Sequence, residues 1–322
     1  MALSNMQVFN QYLMEATAET LGQQINKFNA ASNGAVVLTS MNFEGDFFER
    51  SFYSALHSAK RRVDRYAANG TVSSTPLAQL RESAVKVAGG FGPISFEPAQ
   101  MTWIRKNEAE AIAVISAQLS GAMMQDQLNA AIAALVAAIS NQAAATNDAS
   151  ATLGISYSAM NNSHALFGDS SMALVAQVMN GTAYHKLVGQ NLTSTPQLFQ
   201  AQNVTVVDIL GKPVIVTDAP ALYAAGTPNK LKVLSLASGA ATVMDGSDVV
   251  TNIVTSNGNA RIETTMQADY SFGLALKGYT WDVTNGGKSP TDAEIATGSN
   301  WDKVATDIKH TAGVITIGDA SK

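Results

Sequence analysis

The chain has 322 residues, 46% of them hydrophobic and 14% charged, where an average soluble domain carries about 25% charged residues. Twenty Lys and Arg against twenty-five Asp and Glu leave a net charge of -5, which excludes a disordered chain and a protein whose main task is gripping nucleic acid non-specifically. The absence of Cys excludes disulfide frameworks, thiolate zinc sites, iron–sulfur clusters and cysteine nucleophiles together.

At roughly 150 residues per domain the length suggests two domains or one elaborated one. The opening MALSNMQVFNQYLM has no basic region and no apolar core, and the most apolar stretch, LNAAIAALVAAIS, is too short to span a bilayer, so no membrane insertion is expected. A surface rich in Ala, Ser, Thr and Asn with few charges is suited to being covered by copies of itself.

Phe9, Leu13, Ala16, Leu21, Ile25 and Phe28 recur at helical spacing, ending at FNAASNG where Asn33 and Gly34 stop the helix, and an AVVL strand follows. From Phe43 to Pro98 the pattern breaks up into an aromatic cluster, a basic run KRRVDRY, a polar turn ANGTVSSTP, a short strand-like SAVKVAG and then GGFGP. Gly89, Gly90, Gly92 and Pro93 punctuate this region too often for a central strand, so it reads as an extended excursion from a core.

Trp103 to Asn147 is Ala-rich, free of Pro and holds one Gly, which predicts the longest helix. Ile112, Ile115, Leu119 and Met123 form one stripe, and Leu128, Ile132, Leu135 and Ile139 another, about 160° away around the helix. Either the helix breaks near Gly121 or one rod packs on opposite sides of its two halves. An isolated Gly costs only about 1 kcal/mol relative to Ala, which favours the rod.

Asp169 offers a helix cap before Leu174, Val178 and Leu187, and two strands are expected around Gly211, Lys212 and Pro213. LKVLSLASGAATVMDG repeats the arrangement of strand, Gly and strand around Gly239. The even positions from Ile262 to Leu276 form an unbroken alternating face, which moves to odd positions at Tyr279, Trp281 and Val283, implying a bulge at Lys277 and Gly278. Ser289 with Asp292, and Ser299 with Asp302, read as capped helix starts, before Gly313 and a VITI strand.

No chemistry-bearing constellation emerges. His57, His164, His185 and His310 lie too far apart for local metal-ligand spacing, no GxSxG elbow occurs, and Glu108 and Glu110 fall on different sides of their helix. NGGKS lacks the Gly that a phosphate loop needs five residues before Gly287, where Asp282 stands, so Gly286 and Gly287 are assigned to a turn. Asn191 and Asn203 head Asn-x-Ser/Thr triplets that carry no weight without a secretory signal. No catalytic, cofactor or metal site is expected. The one concentrated basic feature is Lys60, Arg61, Arg62 and Arg65, a candidate for contact with another subunit or with DNA, or a solvated face balanced by Glu49 and Asp64.

FNAASNGAVVL after a short helix, the GDF-containing excursion, the long helix, GDSSMALVAQVMNGTAYHKL, DILGKPVIVTDAP, LSLASGAATV and ATGSNWDKVATDIKHTAGV together resemble major capsid proteins of tailed bacteriophages, the Hong Kong phage-type fold, from about Phe9 to Ile317. The resemblance implies an α+β subunit with an N-terminal arm at 1–40 and an extended E-loop hairpin at 41–100. It implies a P-domain of spine helix and returning strands at 101–147 and 261–288, an A-domain at 148–260, and a C-terminal segment at 289–322 closing the core. It further implies self-assembly into hexamers and pentamers of an icosahedral shell around DNA contacted non-specifically, located in the virion. A separate scaffolding protein, a portal and a decoration protein are the other implied partners. Relatives often carry a His where this chain has Asn180. The rival reading is a flagellin-like filament protein, which shares the composition but pairs apolar heptads at both termini, whereas this C-terminus offers strand, a short Trp301 helix and VITI.

Overall fold

The computed structural model describes residues 12–21, 29, 32–39, 45–53, 60–74, 76–77, 79–96, 108–194, 211–245, 248–256 and 262–322. Phe9, Ile25, Phe28, His57, Trp103 and Asn203 lie outside the described residues, as does the strand expected before Gly211.

Among the described residues, two six-stranded sheets clasp one long helix. Helix α1 (residues 12–21) carries Leu13 and Leu21 buried on its inner face. Asn33 and Gly34 then take positive φ angles of 51° and 71° and turn the chain into β1 (Val36–Thr39), as expected from FNAASNG. The first sheet has the order β1-β9-β11-β3-β2, built from β2 (Phe47–Tyr53), β3 (Gln79–Phe96), β9 (Ala241–Asp245) and β11 (Glu263–Leu276), with β10 (Val250–Ser256) also paired to β11. The second has the order β4-β14-β8-β5-β6, built from β4 (Thr146–Asp148), β5 (Leu174–Met179), β6 (Val214–Val216), β8 (Lys230–Ala237) and β14 (Gly313–Asp319), with β7 (Tyr223–Ala224) on β8.

Helix α2 (Glu108–Ser140) runs unbroken through Gly121, beside which a Cβ would meet nothing within 4 Å. The two stripes therefore belong to one rod. Ile112 and Ile115 pack with Leu13, Met266 and Phe96, while Ile132, Leu135 and Ile139 sit in the main core. Between Ala130 and Ile139 nearly every side chain is buried, because alanines let α2 approach β9 and β11 of one sheet and β14 of the other. Each Leu or Ile buried there contributes roughly 1.5–3 kcal/mol. By length and composition Glu110–Ser140 could also cross a membrane, unlike the shorter stretch singled out in the sequence; its buried C-terminal half is already packed between the sheets. The rod ends seven residues before the expected Asn147, where Thr146 Oγ1 donates to the carbonyls of Ile139 (3.1 Å) and Gln142 (3.0 Å).

The expected strands around Gly239 are present, but they do not pair with each other. β8 lies in the second sheet and β9 in the first, so Gly239, at φ 67°, carries the chain across. Its amide donates to Gly34 O (2.7 Å), and that of Ala240 to Ala35 O (2.8 Å). The crossing is thereby tied to the turn before β1. The segment 148–260, expected as one A-domain, accordingly supplies strands to both sheets.

Five expectations are corrected. Gly89, Gly90 and Gly92 do not end a strand; they lie inside the 18-residue β3, paired to β11. They are small because rings and backbone fill their space: a Cβ at Gly89 would lie 2.6 Å from Tyr270 Cζ, and one at Gly92 2.7 Å from Met266 O. Leu174 and Val178, expected in a helix capped by Asp169, lie on β5 after a 3-10 turn, Gly168–Ala173. A spacing of four suits one face of a strand as well as a helix, and pairing to β6 and β8 decides it. Asn180 then takes the capping role, its Oδ1 accepting the Ala183 amide (2.8 Å) at the head of helix α4 (Gly181–Ser194), which follows α3 (Tyr157–Ala165).

The helix expected from Ser299 is instead β13 (Trp301–Lys303), paired with β12 (Tyr279–Trp281). Burial of Trp301 against Trp281, ring centroids 4.8 Å apart, outweighs the capping signal. The other start survives one turn long as α6 (Asp292–Ile295), but the cap is Thr291 with Glu294, not Ser289. At Lys277 and Gly278 the chain makes a turn with Gly278 at φ 77°, and the irregularity in β11 lies between Met266 and Ala268. Gly286 and Gly287 do form a turn, closing α5 (Val283–Gly286), whose N-cap is Asp282.

Candidate assembly surface

The expected excursion is a hairpin. β2 pairs antiparallel with the first part of β3, from Phe47 opposite Val85 to Tyr53 opposite Gln79. Beyond Val85, β3 leaves β2 and continues along β11. Residues 60–74, between the strands, have no regular structure and are exposed throughout. Lys60, Arg61, Arg62 and Arg65 are all here, and none forms an ion pair with another described residue. The Arg65 guanidinium lies 6.0 Å from the Tyr66 ring centre, at the outer limit of a cation–π contact. Asp64 Oδ1 accepts the Tyr66 amide (2.9 Å). Tyr66 is 92% exposed, Val63 64% and Val72 58%, so the tip offers apolar as well as cationic side chains and buries neither.

Two openings flank the root of the hairpin. On the outer face of the first sheet, Phe48, Ala84, Met244 and Ala275 surround a cavity of about 450 Å3. At its rim Glu82 accepts the Gly278 amide (2.7 Å) and Lys277 donates to Ser238 O (3.1 Å). On the opposite face a cleft of about 430 Å3 lies between β3, β11, α2 and the loop into α6. Phe91 stacks on Tyr270 at 5.5 Å, and Tyr270 on Phe272 at 6.4 Å. Tyr270 OH donates to Asp126 Oδ2 at 2.6 Å. Burial, that hydrogen bond and the charges of Asp126 and Asp292 hold the phenol far above its ordinary value.

The three described histidines serve packing and surface roles. Buried His164 shares a hydrogen bond with Ser235 Oγ (2.9 Å), and burial, then nearby Lys212, lowers its pKa. His185 stands edge-on to Tyr184, and His310 is exposed. Among the described residues no three His, Asp or Glu converge to hold a metal ion. Sequence reasoning located the basic tip but missed the Tyr270–Asp126 pair and the Trp281–Trp301 contact. The glycine run opposite an aromatic-rich strand was the available signal for the first, and only strand register makes it readable.

An extended hairpin, a long helix between two sheets and a C-terminal strand inside the second sheet make up an α+β fold that recurs in solved phage capsids. The fold matches that of the cyanophage Pam1 capsid (12% identity, 88% of each chain covered, TM-score 0.53) and of the Helicobacter pylori bacteriophage KHP30 capsid (10% identity, 91% of each chain, TM-score 0.50). No curated protein sequence matches the chain. Residues 5–315 match the Gp13-like family, described as major capsid protein 13-like, and the chain belongs to it. It is a major capsid protein of a tailed phage, a structural component of the virion shell rather than an enzyme or a filament protein.

Proposed function

We propose that the subunit assembles with copies of itself into hexamers and pentamers, and that the hairpin 41–100 is an E-loop whose tip contacts a neighbouring subunit through Lys60, Arg61, Arg62 and Arg65. One observation carries this reading: among the described residues, the tip exposes Val63, Tyr66 and Val72 beside its cations and buries none of them. Apolar side chains held in water at the end of a long hairpin are stabilised only when another surface covers them. Single contacts of this kind can be weak, because ring closure multiplies them.

In the same reading residues 1–40 are the arm, while α2 and the returning strands 261–288 are the P-domain. The A-domain of 148–260 takes in the second sheet, whose β14 belongs to the closing segment 289–322, and lends β9 and β10 to the P-domain sheet. A scaffolding protein, a portal and a decoration protein complete the particle, and packaged DNA is met non-specifically. The test is deletion of Asn69 to Pro76. The expected result is a monomer that melts as the full chain does but forms no shells by negative-stain electron microscopy; normal shells would overturn the role given to the tip.

A further inference from the structure

We propose that the exposed run from Lys60 to Tyr66 is a processing site, cut by a protease that cleaves after Lys or Arg, and that the cut subunit stays one folded body. The site belongs to the free subunit; its closure on assembly rests on the reading of the tip as an inter-subunit contact.

A protease of this kind lays its substrate out as an extended strand and seats one Lys or Arg in an acidic pocket. Residues 60–74 meet that demand without unfolding, being exposed throughout and free of helix and strand. Every other described Lys or Arg stands on a helix or strand or within three residues of one. Cutting there waits for paired backbone to open locally. Within the run the bonds are not equivalent. Asp64 Oδ1 accepts the Tyr66 amide at 2.9 Å, which holds the backbone around Arg65 in a bend. Lys60, Arg61 and Arg62 precede that bend, so the bonds after Arg61 and Arg62 are the first to be cut. Water adds across the bond: at Arg62 the C–N bond breaks, Arg62 gains a carboxylate and Val63 an amine.

The contacts that hold the two pieces together lie elsewhere. The piece before the cut carries α1, β1 and β2. Strand β1 pairs in parallel with β9, from Val36 opposite Ala241 to Thr39 opposite Met244, and β2 keeps its register on β3 from Phe47 to Tyr53. Leu21, Val36 and Leu38 are buried in the main core, and Leu13 is buried with Ala111 and Met266. The amides of Gly239 and Ala240 donate to Gly34 O and Ala35 O. None of these contacts involves residues 60–74. The loop only shortens the search by which β2 finds β3, and β1 ties the same piece to the first sheet independently. In the role proposed for the tip the run is covered once copies meet, so processing belongs to the stage before assembly.

The test digests the full-length free subunit with a small amount of trypsin and follows it by intact-mass spectrometry, gel filtration and melting curves. The expected first products are two pieces divided after Arg61 or Arg62, formed at least about tenfold faster than any cut elsewhere, since the other sites need local opening. The pieces elute together at the volume of the intact subunit and melt in one transition. A chain carrying Lys60→Gln, Arg61→Gln, Arg62→Gln and Arg65→Gln, all exposed positions, is expected to lose these products. First cuts elsewhere, or the same products from the substituted chain, overturn the site; pieces that separate on the column or melt apart overturn the single folded body. Shells are digested in parallel. Their protection supports closure of the site on assembly, whereas cutting of shells at the free subunit's rate overturns the tip reading and leaves the processing site standing.

Discussion

The C-terminal half of α2 and the tip of the hairpin both carry large apolar side chains, yet these meet opposite fates. Ala130 to Ile139 disappear between two sheets of their own chain, whereas Val63, Tyr66 and Val72 stand in water. The difference lies in what the chain supplies around them. The helix is flanked by strands from both sheets, while the tip lies at the far end of β3, beyond the reach of either core. A residue of the first kind contributes to folding; in the role proposed for the tip, one of the second kind contributes only when copies meet, and stability and assembly are then separable by mutation.

Several substitutions can break that separation. The largest effect is expected at the paired indoles, where Trp301→Ala removes a fully buried ring and should cost about 3–5 kcal/mol, read as a lower denaturant midpoint of the monomer. Next comes Gly89→Val, which forces the Tyr270 ring away from β3; a loss of roughly 1–3 kcal/mol is expected, as in overpacked cores. If Gly89→Val leaves the melting curve untouched, the close approach of ring and backbone is not a constraint.

His164 gives a smaller, pH-dependent effect. Its folded pKa is lowered by burial, so the unfolded chain takes up the proton first, near 6.5. Stability from this site is complete above that value and declines as the pH falls through the depressed folded pKa. Urea midpoints measured between pH 7.5 and 5 should fall, and His164→Gln should flatten the slope; an unchanged slope in the variant would assign the acid sensitivity elsewhere. The smallest effect on folding is expected at the tip: Tyr66→Ala should shift monomer stability by less than about 0.5 kcal/mol, as surface changes do, while lowering shell yield. A destabilised Tyr66→Ala monomer would end the comparison.

Much of the architecture was legible because it follows local patterns. The rod of α2 and the alternation of β11 are periodicities, and the Asn33–Gly34 turn is a backbone requirement. What remained hidden depends on partners distant in the chain. Leu174 and Val178 have a spacing that strand and helix share, and β6 and β8 decide between them. Ser299 and Asp302 look like a cap until Trp301 finds Trp281. The glycines of β3 read as interruptions because their purpose, the ring of Tyr270, arrives from 181 positions later in the chain. The basic run was visible as charge, but the cleft beside Tyr270 exists only once α2, β3, β11 and the loop before α6 converge.

The register of β3 also sets how the subunit bears load. A hairpin pulled along its length by a neighbour transmits tension to the body through β3, which runs antiparallel to β11 from Val85 opposite Leu274 to Phe96 opposite Thr264. Tension directed along these strands loads their hydrogen bonds in shear, so the bonds resist together and none is peeled first. The same ladder pulled sideways would open one bond at a time.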